Sequence, residues 1–194
     1  NNTVLGAMAG DASTATTNLT LLGKSAGGAI NNTAANGTVA VGSSALESLT
    51  TGAENTAVGF GAMMEELTGG GNTCLGYNAM HDSLGSITNM HNTFVGDASG
   101  GGTWVTAASS YNTAVGSGAM NGAMNGALYN TAMGYESLAG ITTGDHNVGI
   151  GRQAGDVIST GTTNVIIGSS SDPSGSGGEN QIVIGYGTTG VGND

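Results

Sequence analysis

The five residues Asn-Thr-Ala-Val-Gly occur at 55–59 and again at 112–116, with near-copies at 72–76, 92–96 and 130–134. Aligning the glycine that closes each copy gives Gly6, Gly23, Gly42, Gly59, Gly76, Gly96, Gly116, Gly134, Gly151, Gly168 and Gly185, spaced 17 to 20 residues apart along the whole 194-residue chain. A period of that size constrains the fold strongly, because a unit too short to bury its own apolar face must stack on its neighbours. One repetitive domain, 1–194, is predicted, with no unrepeated remainder.

Each position of the unit follows a rule. The residue before the glycine is always a large aliphatic, from Leu5 through Val58 and Met133 to Ile184, and is predicted to face a core. Three places after the glycine the residue is small, as at Ala62, Ser99 and Ala119, which points to a cramped site. Four places before it stands Asn in eight copies, Asn2, Asn55, Asn72, Asn92, Asn112, Asn130, Asn147 and Asn164. Asn suits a stacked turn, since it bonds its own backbone and tolerates left-handed geometry. Thr-Ala-Val-Gly is too short for a helix and reads as a strand bounded by Asn and Gly. The following Gly-x-x-Ala-Leu or Gly-x-x-Ala-Met reads as a second short strand or a turn, with Met63, Met80 and Met120 standing in for Leu46 and Leu138 in the core. The predicted fold is all-β: a parallel β-roll or solenoid of about eleven coils stacked about 4.8 Å apart.

Side chains alternate along a strand. If the residue before each glycine points inward, the one before that points out, giving the rank Val4, Leu21, Ala40, Ala57, Cys74, Phe94, Ala114, Ala132, Gly149, Ile166 and Val183. That rank holds no polar residue, and a long apolar stripe on a surface marks an association site. Val4, Leu21, Ala57, Cys74, Phe94, Ala114, Ile166 and Val183 are therefore the predicted subunit interface. Reversing the two faces still leaves apolar ranks on opposite sides, so an oligomer follows either way.

Net charge is −11, and Lys24 and Arg152 are the only basic residues. Nucleic acid and anionic membrane surfaces, which need Lys and Arg at phosphates, are excluded as direct ligands. No apolar run approaches the ~20 residues of a membrane helix. A single Cys, Cys74, makes neither an intrachain disulfide nor a thiolate metal set. The carboxylates are scattered without an acid–base couple, and the glycine strings at 69–71 and 100–102 lack the Lys of a phosphate cradle. No catalytic residue, cofactor or metal is expected. The chain opens Asn-Asn-Thr-Val-Leu-Gly without an initiator Met, which suggests a fragment or a processed form.

The long coils 76–96 and 96–116 carry residues that the repeat does not explain, among them Trp104, the only Trp, and Tyr111. Binding residues gather on loops held by rigid scaffolds, which makes this pair the candidate ligand site. The other reading is a ring folded back over apolar surface.

The unit Asn-Thr-φ-φ-Gly-x-x-Ala resembles the head repeats of YadA-like trimeric autotransporter adhesins and the arrays of bacteriophage tail fibres and other bacterial trimeric fibre proteins. The resemblance spans essentially the whole chain and implies left-handed coils packed as an intimate homotrimer, although these units are longer than that family's shorter head repeats. It implies a structural and adhesive role: an extracellular fibre, on a virion tail or a bacterial surface, that supports or carries binding to a cell-surface receptor or glycan, without membrane insertion. The alternative is an ice-binding solenoid with a Thr ladder.

Overall fold

The computed structural model describes residues 1–12, 17–31, 33–83, 88–104 and 106–192. Eleven three-residue strands run from β1 (Thr3–Leu5) through β2 (Thr20–Leu22), β3 (Val39–Val41), β4 (Thr56–Val58), β5 (Thr73–Leu75), β6 (Thr93–Val95), β7 (Thr113–Val115), β8 (Thr131–Met133), β9 (Val148–Ile150) and β10 (Val165–Ile167) to β11 (Ile182–Ile184). They form one parallel sheet in strict chain order, and every strand pairs with equivalent residues of the next, as Thr56 with Thr73, Ala57 with Cys74 and Val58 with Leu75. The chain is a parallel β-solenoid, one strand per coil. The described residues contain one short helical turn, Thr33–Ala35.

The second half of each unit is a turn ladder and not a second strand. Left-handed residues two and four places after the closing glycine break the extended run, for instance Gly61 (φ 62°) and Met63 (φ 51°). Their amides still bond neighbouring coils, Gly61 N–H to the Ser43 carbonyl at 3.0 Å and Met63 N–H to the Ala79 carbonyl at 2.9 Å. The closing glycines sit near φ 140°, as at Gly59 and Gly116, a conformation that L side chains rarely adopt. A Cβ on Gly59 would also strike the carbonyl of Gly76, so the glycine is required twice over.

The sidedness of the strand is the reverse of the sequence expectation. Leu21, Ala57, Cys74, Phe94, Ala114, Ile166 and Val183, read above as a subunit interface, point into the solenoid and are buried by their own chain. Only Val4, in the first coil, is exposed. The residues on either side of this centre rank, Thr56 and Val58 in β4 for example, lie on the outer face. The reason is volume. The strand centre faces the residue four places after the glycine in the same coil, and the two share one narrow space. Small centres stand with large partners: Ala40 with Leu46, Ala57 with Met63, Cys74 with Met80, Ala114 with Met120, Ala132 with Leu138. Large centres stand with glycine: Leu21 with Gly27, Phe94 with Gly100. A Cβ on Gly100 would lie 2.9 Å from the Phe94 ring. A Val, Leu or Met at every strand centre would not fit, so the larger aliphatic stays outside. The small rank three places after the glycine is buried, as predicted, at Ala26, Ala45, Ala62, Ala79, Ser99, Ala119, Ser137, Ala154 and Ser171. Met63, Met80 and Met120 occupy the core beside it.

Beneath one edge of the sheet runs a buried amide ladder through Asn55, Asn72, Asn92, Asn112, Asn130, Asn147 and Asn164. Each Oδ1 accepts from the backbone N–H and the Nδ2 of the next Asn; for Asn112 the distances are 3.0 Å and 3.1 Å to Asn130. Asn112 Nδ2 also donates to the Ala127 carbonyl at 2.8 Å. Burial of these amides is tolerable because every one is satisfied. The ladder closes at Gln181, whose N–H donates to Asn164 Oδ1.

Candidate functional site

The strand rule that buries the centre residue also builds the one continuous surface the repeats share. Its two central ranks are the strand-start residues, Thr3, Thr20, Val39, Thr56, Thr73, Thr93, Thr113, Thr131, Val148, Val165 and Ile182, and the residues before the glycines, from Leu5 to Ile184. No charge occurs in either rank over eleven coils. Leu75, Met133 and Ile184 are 47, 51 and 67 % exposed, well above what an aliphatic side chain adopts in a core. Along its length the face changes character: Thr dominates its first rank as far as β8, and β9 to β11 are purely aliphatic apart from buried Gly149.

Two flanks bound the face. The first is the residue before each ladder Asn, held left-handed in coil after coil: Asn18, Gly37, Glu54, Gly71, His91, Tyr111, Tyr129, His146, Thr163 and Asn180 have φ between 55° and 73°. Four successive coils place rings there, and the register stacks them. Centroids lie 5.4 Å apart for His91 and Tyr111, 5.0 Å for Tyr111 and Tyr129, and 4.9 Å for Tyr129 and His146, with interplanar angles of 22°, 8° and 8°. Stacking fills the ring faces and leaves the edges, with two phenol hydroxyls and the imidazole nitrogens, toward solvent. The second flank is the residue after the glycine. It holds the stacked pair Phe60 and Tyr77 (5.5 Å), then Asp97, Ser117, Tyr135 and Arg152.

Of the two predicted ligand residues, Tyr111 stands in the exposed ladder and Trp104 does not. Trp104 is buried, its ring edge against Phe94 at 5.6 Å and 71°, so it covers apolar core. The structure does not bring the pair together as a site. His91, Tyr129 and His146 escaped the sequence reading, although a signal was present: each immediately precedes the Asn of its unit.

Two buried reactive groups lie inside the coils. Glu66 takes a place equivalent to Leu49 and Ile141, and is fully buried. Its Oε1 accepts from Gly69 N–H (2.7 Å) and Thr68 N–H (3.3 Å), and its Oε2 from Asn89 Nδ2 (2.9 Å). Burial holds its carboxyl above the usual range, against these hydrogen bonds. Cys74 Sγ lies 3.8 Å from Met80 Sδ; burial, then the Glu66 charge, push its thiol well above the ordinary value. Neither is open to a substrate. Among the described residues no three of His, Cys, Asp and Glu converge to hold a metal, and no helix is long and apolar enough to cross a membrane. No family model, curated protein or solved structure matches the chain.

Proposed function

We propose that this chain is the repetitive shaft or head of a homotrimeric fibre, a structural and adhesive module that supports or carries attachment to a cell-surface receptor or glycan. The observation that supports the reading is the uncharged outer face. It spans ten coil steps of ~4.8 Å and about six strand steps of ~3.3 Å, flank to flank. Its projected area, about 1,000 Å², exceeds the ~800 Å² per partner of a standard stable interface. Exposed apolar surface of that extent on a chain with 8 % charged residues calls for a cover, and a second copy offers the same period by construction. Left-handed coiling and three-fold packing are those of the fibre family the unit resembles, as is an extracellular place on a virion tail or bacterial surface. The role is mechanical: a rod of nearest-neighbour contacts that carries load and needs no catalytic step.

Sedimentation equilibrium and native mass spectrometry test this, with a trimer of the 18.7 kDa chain expected. A monodisperse monomer at micromolar concentration refutes it. The outward Thr rank favours one other reading, ice binding, which an ice-recrystallisation assay on the folded protein decides. Inhibition of ice growth by a monomer would displace the fibre reading.

A further inference from the structure

We propose that the flank carrying the His91–Tyr111–Tyr129–His146 ladder docks, coil by coil, on the opposite flank of a second copy, formed by Asp97, Ser117, Tyr135 and Arg152. The proposal rests on the homo-oligomer reading and adds which surfaces meet.

The geometry is that of flat faces turned toward a common axis. When copies of one sheet face an axis parallel to the solenoid, the left edge of each face meets the right edge of the next, and identical coils stand at one level. Such an interface is heterologous, each copy giving one flank and receiving the other. Within a coil the ladder residue and the residue after the glycine are six positions apart, about 20 Å in extended chain. Three faces of that width place each sheet about 6 Å from the axis, close to half the ~10 Å at which sheets pack. Four would leave a central void. The Thr and aliphatic ranks then fill the axis, like against like at every level.

The paired levels are chemically compatible. His91 meets Asp97, Tyr111 meets Ser117, Tyr129 meets Tyr135 and His146 meets Arg152, each couple having a donor for an acceptor. The rings are rigid, because stacking and the left-handed backbone above the Asn ladder hold them, so little ordering is needed on docking. That accounts for aromatic residues in a rank where Asn18, Gly37, Gly71 and Asn180 satisfy the same backbone at lower conformational cost.

Cross-linking tests the pairing. In the double variant Tyr111→Cys with Ser117→Cys, the two thiols of one chain are about 20 Å apart, far beyond the ~7 Å Cα separation a disulfide tolerates, so any bond joins two chains. Native Cys74 is buried and takes no part. Mild oxidation should convert the assembly to covalent trimers on non-reducing gels, with neither single variant doing so. A second pair outside the ladder, Thr163→Cys with Ser169→Cys, should behave alike and guards against a folding defect at Tyr111. A trimer by mass in which neither pair cross-links overturns the pairing and leaves the fibre reading intact. A monomer overturns both.

Discussion

The complementarity between Phe94 and Gly100 yields the sharpest test of how the coil interior is filled. Phe94→Ala removes a fully buried ring that also packs against Trp104, and such truncations cost about 3–5 kcal/mol. Gly100→Met alone drives a side chain into the Phe94 ring, whose atoms would lie 2.9 Å from the new Cβ, and overpacking of this kind costs about 1–3 kcal/mol. Independent sites would add to roughly 6 kcal/mol. Together the two changes recreate the Ala57–Met63 and Ala114–Met120 arrangement, where Met63 and Met120 occupy this rank at φ 51°, so the left-handed backbone at Gly100 admits the side chain. The double variant is therefore expected to lie about 2–3 kcal/mol above the additive value, the coupling typical of residues that share a cavity. Urea unfolding followed by circular dichroism, completed as a double-mutant cycle, measures it. A double variant as unstable as the sum, or worse, would refute shared volume as the rule that sets strand sidedness.

Three further outcomes follow from the same structure. Asn112→Ala strands Asn130 N–H, Asn92 Oδ1 and the Ala127 carbonyl in a buried site, and at about 1–3 kcal/mol per orphaned group should cost at least 3 kcal/mol, seen as a lowered urea midpoint. Val115→Asp, on the outer face, should abolish the trimer by sedimentation while the monomer keeps its circular dichroism; an unchanged trimer mass would show that this face is not the interface. Burial raises the Glu66 carboxyl in the folded chain, so the native state holds its proton more tightly than the unfolded one. The associated stability is complete below the unfolded value near 4.5 and is lost as pH rises through the folded value, so Tm should fall from pH 5 toward neutrality. Asp172, raised by burial and by Asp156, acts in the same direction. Glu66→Gln should flatten the profile at the expense of its midpoint, because an amide nitrogen would face Asn89 Nδ2.

Much of this architecture was legible in the sequence, because a repeat writes each structural demand eleven times. The closing glycine, the Asn four residues before it and the small residue three after it are each dictated by a local need: a backbone angle, an amide ladder, a close approach. The number of coils, their parallel stacking and the core placement of Met63, Met80 and Met120 follow from that. Sidedness does not. Period-two alternation states that Thr56 and Val58 share one side and that Ala57 takes the other, but not which side is inside. That was decided by the space between the strand and the turn of its own coil, which admits one side chain of Phe or Leu size, or an alanine with a methionine, and excludes a Val or Leu at every centre. Trp104 likewise belongs by sequence to an unexplained loop, and only the ring of Phe94 beneath it makes it core. His91, Tyr111, Tyr129 and His146 are spread over 56 residues; coil stacking alone sets them one above another, because the register that satisfies each backbone amide also brings equivalent side chains to the same line.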